Sequence, residues 1–84
     1  MEKSIHTRDY AAFLRLLKQA REDAGMTQVG LAAALDTSQS LVSKVERGET
    51  RLDLIQLRTV LAALGVTLPE FSARLEKELG AAKR

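Results

Sequence analysis

The feature that most constrains this chain is its punctuation. Thr7, Thr27, Ser38, Asp53 and Thr67 each stand before a run in which apolar residues recur at helical spacing, and Gly25, Asp36, Gly48, Gly65 and Gly80 close those runs. Short oxygen-bearing side chains accept hydrogen bonds from the N–H groups that a helix start leaves unpaired. Glycine, and at moderate cost aspartate, adopts the left-handed turn that ends a helix. No stretch alternates apolar and polar residues long enough to predict a strand. The chain therefore reads as five short helices.

Its 84 residues allow one small domain, residues 1–84, with helices over about 8–80 and flexible ends at 1–6 and 81–84. A chain of this size buries roughly 60–70% of its surface, so every apolar position counts. In the first helix Tyr10, Phe13, Leu14, Leu17 and Ala24 form the inner face, with Arg15, Lys18, Glu22 and Asp23 opposite. Leu31, Ala32 and Leu35 take that role in the second, where Gly30, Ala32, Ala33 and Ala34 also allow close approach of another helix. Leu41, Val42 and Val45 do so in the third. Thr37 and Ser38 compete as its N-cap, and Ser38 is the better candidate because it leaves Gln39 and Ser40 in the first exposed turn. Asp53 and Gln56 have capping-box spacing, as do Thr67 and Glu70, and Pro69 suits a first helical turn. Leu54, Leu57, Leu61 and Leu64 stripe the fourth helix; Leu68, Phe71, Leu75 and Leu79 stripe the fifth.

Composition narrows the function classes. Thirteen basic residues against eleven acidic ones give a net charge of +2, a mild lean towards an anionic partner that proves nothing alone. With no cysteine there is neither a disulfide framework nor a thiolate metal site. His6, the only histidine, lies in the leader and is a poor metal ligand or general base. There is no nucleotide-binding glycine loop, and Glu22–Asp23 and Glu76–Glu78 read as solvated helix faces. Neither an enzyme nor a cofactor is expected. No apolar run resembles a signal peptide or approaches the roughly 20 residues of a membrane span, so a cytoplasmic, membrane-independent protein is expected.

The stretch Thr27–Gly48 organises the rest. Two short helices flank a tight polar turn, and the second presents Ser38, Gln39, Ser40, Ser43 and Lys44 outward. One helix crossing a DNA backbone while the next enters the major groove has this layout. Helical hairpins are common elsewhere, but the wording here is specific. SQSLVSKVERGE, with LKQAREDAGMTQ ahead and RLDLIQLRTVLAALGVTLPEF behind, resembles the phage-repressor and Cro family, also called XRE-like, over roughly residues 13–72. The resemblance implies an all-α, compact five-helix, lambda-repressor-like DNA-binding domain with the helix-turn-helix in helices 2 and 3.

It also implies roles. Thr27 and Gln28 would bind a phosphate at the start of the second helix. Gln39 stands where the family reads a base, and an amide can pair with N6 and N7 of adenine. Ser40 would reach a base edge or phosphate, and Ser43 and Lys44 lie one turn on, with Lys44 able to reach guanine or phosphate. Arg47, Thr50 and Arg51 follow as phosphate anchors. Each has a plainer alternative: Ser38 is a cap, and Lys44 and Arg51 are solvated charges. Arg21 and Glu46 match positions that pair the first helix to the recognition helix, which keeps the carboxylate from repelling DNA. The family commonly has glycine and then an apolar residue at the turn, where this chain has Asp36 and Thr37.

Within Thr27–Arg51, Lys44, Arg47 and Arg51 are offset by Asp36, Glu46 and Glu49, so one chain would hold DNA weakly. That points to a homodimer on a two-fold-symmetric operator. Leu64, Val66, Leu68, Phe71 and Leu75 are candidates for its interface, unless they all pack inside. The resemblance thus implies a small DNA-binding transcriptional regulator such as a repressor, or a restriction-modification controller. The alternative from another class is an antitoxin-like module whose main partner is a protein; the short ends Met1–His6 and Gly80–Arg84 favour the regulator.

Overall fold

The structure, a computed structural model, describes residues 7–83; the leader 1–6 and Arg84 lie outside the described residues. The described residues form α1 (Arg8–Asp23), α2 (Gln28–Ala34), α3 (Gln39–Glu46), α4 (Leu54–Ala63) and α5 (Leu68–Lys83). Each expected cap is in place. The side chains of Thr7, Thr27 and Ser38 accept from the backbone N–H groups of Tyr10, Gly30 and Leu41. Asp53 with Gln56, and Thr67 with Glu70, form reciprocal capping boxes. The hydrogen bond from the Thr67 backbone N–H, with the Thr67 side chain second, draws the Glu70 carboxyl below its ordinary value.

The four interhelical turns share one device. Gly25, Asp36, Gly48 and Gly65 have φ of 73°, 55°, 80° and 76°. After each, the next residue's N–H turns back to the helix: Met26 to the Arg21 carbonyl, Thr37 to Ala32, Glu49 to Lys44 and Val66 to Leu61. These closures satisfy carbonyls that the helix ends would otherwise leave open. They also set the direction of each following helix, because the turns leave little slack.

The core is a single cluster of Leu17, Ala20, Leu31, Ala32, Val42, Val45, Val60, Leu61, Leu64 and Phe71. Phe71 on α5 meets Phe13 on α1 edge to face, with ring centroids 5.8 Å apart. Helix α2 packs on α3, α1 on both α3 and α5, and α4 on α5. The recognition pair is thereby seated on α1, with α4 and α5 behind it.

Several expected positions move. Ala24 is exposed, because it lies beyond the last turn of α1 as the chain bends at Gly25; Ala12 and Ala20 carry the inner face with Leu17. Only Ala32 of the alanine run is buried. Gly30 is exposed, and a Cβ there would meet the Thr27 hydroxyl at 3.3 Å, so its small size serves the cap rather than a neighbouring helix. Leu41 is 40% exposed and Leu54 62% exposed. Leu41 is offset from the inward pair Val42 and Val45, and Leu54 is the first residue of α4, at the rim. The inner face of α4 is instead Leu57, Val60, Leu61 and Leu64. Gly80 does not stop α5, which continues to Lys83. Among the proposed interface residues, Leu64 and Phe71 are 7% and 1% exposed. They belong to this chain's own core, and only Val66, Leu68 and Leu75 keep partly exposed surface.

Candidate nucleic-acid interface

Helix α3 is short, and its two faces are sharply divided. Val42 and Val45 enter the core, while Gln39, Ser40 and Lys44 are exposed and Ser43 is half-buried. Ser38 is exposed, with its hydroxyl accepting from the Leu41 N–H at 3.1 Å, which places it as the cap. The two exposed turns therefore present an amide, a hydroxyl and an ammonium from one rigid element.

A chain of polar contacts ties that surface to α1. The Arg21 guanidinium donates to both Glu46 oxygens, at 2.6 and 3.1 Å, and to the Met26 carbonyl at 2.8 Å. Both partners are buried, with side chains 9% and 7% exposed. Burial alone would raise the Glu46 carboxyl. Hydrogen bonds from Arg21 and Gln28, with the charges of Arg21 and Lys18, outweigh it and hold the group below its ordinary value. The hydrogen bond to Glu46 raises Arg21 in turn. Gln28 donates to Glu46 Oε1 at 3.0 Å and accepts from Gln39 Nε2 at 2.7 Å. The ordering runs from the core outward, α1 to Arg21, Glu46, Gln28 and then Gln39.

This arrangement bears on base reading. Gln39 uses one of its two amide protons on Gln28 and keeps the other proton and its carbonyl oxygen. Those are the groups that pair with N7 and the N6 amine of adenine. Thr27 uses its hydroxyl on the Gly30 N–H at 3.0 Å. Thr27 and Gln28 thus cap and brace within the protein at the position expected to meet a phosphate.

The cations beyond α3 are also engaged. Arg47 donates to both Glu49 oxygens, at 2.8 and 3.2 Å, and to the Ser43 hydroxyl. The Arg51 guanidinium lies 5.1 Å from the centre of the Tyr10 ring on α1, and Thr50 is half-buried with its N–H turned to the Lys44 carbonyl at 3.3 Å. Lys44 is exposed and lies one helical turn on from Ser40. Sequence reasoning found Arg21 and Glu46 but missed Gln28 as the link between them and Gln39, Glu49 as the partner of Arg47, and Tyr10 as the platform under Arg51. The spacing of Arg47 and Glu49 around Gly48 carries a signal for the second. Nothing in the sequence marks the third, which arises only when α1 and the loop after α3 meet.

Behind α3 lies a groove of about 300 Å³, lined by Leu31, Leu35, Leu41, Val45, Ile55 and Val60 among others, in which Ile55 is 70% exposed. Among the described residues no group of histidine, cysteine, aspartate or glutamate is placed to hold a metal, and no single helix is long and apolar enough to cross a membrane.

Comparison with known proteins agrees with this geometry. The solved structure of an XRE-family like protein from Pseudomonas syringae pv. tomato str. DC3000 is 42% identical, with a TM-score of 0.81, over 92% of this chain and 94% of that one. Control protein C.MunI from Mycoplasma sp is 33% identical over 64 residues, 76% of this chain and 86% of that protein. The helix-turn-helix family matches residues 17–71. The chain belongs to the XRE-type helix-turn-helix family of DNA-binding transcriptional regulators.

Proposed function

We propose that this protein acts in the cytoplasm as a homodimer, binding a two-fold-symmetric operator in double-stranded DNA with α3 in the major groove. The observation that carries the proposal is the braced amide of Gln39, held by Gln28 with its pairing edge open. Gln39 is the base reader in this reading. Ser40 and Lys44 reach the neighbouring base edges or phosphates, and Arg47, Thr50 and Arg51 anchor the backbone. Gln28 serves as the support of Gln39, and Thr27 and Ser38 as caps that aim their helices.

The dimer follows from charge. With Glu46 paired to Arg21, the cations Lys44, Arg47 and Arg51 face Asp36 and Glu49, and such a balance gives one protomer little non-specific affinity. Two half-sites, roughly 34–36 Å apart, multiply a weak contact. Val66, Leu68 and Leu75, near the turn into α5 and along it, are the surface that joins the protomers. No catalytic step is assigned to the chain, and the reading requires no cofactor. The likeness to Control protein C.MunI favours a second, narrower reading, a controller of restriction-modification genes. An antitoxin-like role finds no comparable support.

Selection of sites from a random duplex pool, with affinity followed against salt, tests the proposal. The expected product is a two-fold-symmetric site with adenine under Gln39. Salt-sensitive binding to every duplex without enrichment would overturn it in favour of a protein-partner module.

A further inference from the structure

We propose that Glu49 is a built-in competitor for DNA phosphate, holding Arg47 in the free protein so that backbone binding requires an exchange of anions. The inference rests on the reading of Arg47 as a phosphate anchor. The pair is two-pronged, at 2.8 and 3.2 Å, and both side chains are about half exposed, at 53% and 54%. A carboxylate presents two oxygens to a guanidinium much as a phosphate does. Exposed pairs of this kind exchange readily, because solvent and salt leave them little net stability.

The backbone places Glu49 there. Gly48, at φ 80°, reverses the chain, and the Glu49 N–H returns to the Lys44 carbonyl at 2.9 Å. Its carboxylate thus lies beside the last turn of α3, where a helix presents its negative end and disfavours an anion. The Glu49 carboxylate therefore adds nothing favourable to α3 by itself; Arg47 and Lys44 make the position tolerable, and the carboxyl is held below the ordinary range chiefly by the Arg47 hydrogen bond. Arg47 also donates to Ser43, so the same guanidinium touches the recognition helix. While Glu49 occupies it, the positive charge at the end of α3 is cancelled locally.

The consequence is read in salt dependence. When a free arginine meets a phosphate, about one condensed counterion is released. When Arg47 leaves Glu49 for a phosphate, the abandoned carboxylate gathers a cation of its own, and the net release approaches zero. Removing the Glu49 charge should raise non-specific affinity about two- to fivefold and steepen the slope of log K against log salt by roughly one.

The test is a double-mutant cycle with the full chain on one fixed mixed-sequence duplex, where base reading does not enter. Wild type, R47A, E49Q and R47A/E49Q are titrated across salt, and circular dichroism melting confirms that all four are folded. The expected result is coupling: E49Q raises affinity and slope while Arg47 is present, and changes neither much once R47A has removed the guanidinium. If R47A lowers affinity equally with and without E49Q, Arg47 is an anchor but Glu49 does not hold it back, and the inference is overturned. If R47A has no effect in either background, the anchor reading itself fails and the inference with it.

Discussion

In the proposed reading, Gln39 and the buried pair behind it divide reading from holding. Gln39→Ala should cost about 1–3 kcal/mol on the preferred site and relax selection at one base pair, measurable by binding to a set of single-base variants. Gln28→Ala should relax the same base pair with a smaller loss, since the base contacts survive and only their support is removed. Arg21→Ala acts differently. It leaves a carboxylate buried without its partner, at a cost of about 3–5 kcal/mol in unfolding free energy. That is a large share of the roughly 5–15 kcal/mol that stabilises a typical domain. The pair also sets a pH response. The folded Glu46 carboxyl lies below its ordinary value of 4.5, so its contribution to stability is complete above that pH and is lost as pH falls through the folded value. Melting temperature followed from neutral to strongly acid pH should fall in that window for wild type. Glu46→Gln should start lower and show a flatter acid limb.

At the scale of the element, the turns govern. Gly48→Ala puts a Cβ at φ 80°, 3.0 Å from Leu14 Cδ1, and left-handed strain of about 1–2 kcal/mol adds to that contact. Thermal melting should register the loss, and operator affinity should fall beyond it because α3 loses its fixed ending. The helices and their caps were legible in the sequence because both signals are local: one hydroxyl or carboxylate with the N–H three residues on, one left-handed residue per ending. Ser38 as cap and Asp36 in the left-handed turn were readable for that reason. What was not legible is where neighbours end. The rim positions of Leu41 and Leu54 and the burial of Leu64 and Phe71 depend on the angle between helices, and α5 is turned by 107° from α4. The continuation of α5 through Gly80 shows the converse: glycine permits a stop, but nothing after it imposes one.

In the whole molecule one thin core serves both the reading pair and its scaffold. Phe71 is 1% exposed and touches the α1 side through Phe13, so Phe71→Ala should cost about 3–5 kcal/mol and lower the melting temperature steeply, visible by circular dichroism. Loss of DNA binding in that variant would report folding rather than contact. The candidate site was only half legible for a related reason. Residues on the outer face of α3 follow from helical spacing, whereas the partners that orient them, Gln28, Glu49 and Tyr10, come from other elements and meet only in the packed chain. The bonds running from Arg21 through Glu46 and Gln28 to Gln39 also constrain divergence. In the proposed reading, a lineage that changes its operator under Gln39 must alter a residue bonded to Gln28 and, through it, to Glu46, so that step calls for a paired substitution at Gln28. Ser40 and Lys44 have no hydrogen-bonded side-chain partner among the described residues and can change singly. If α3 reads bases as proposed, new targets should therefore arise first at the base pairs facing positions 40 and 44, with the Gln39 contact the last to be rewritten.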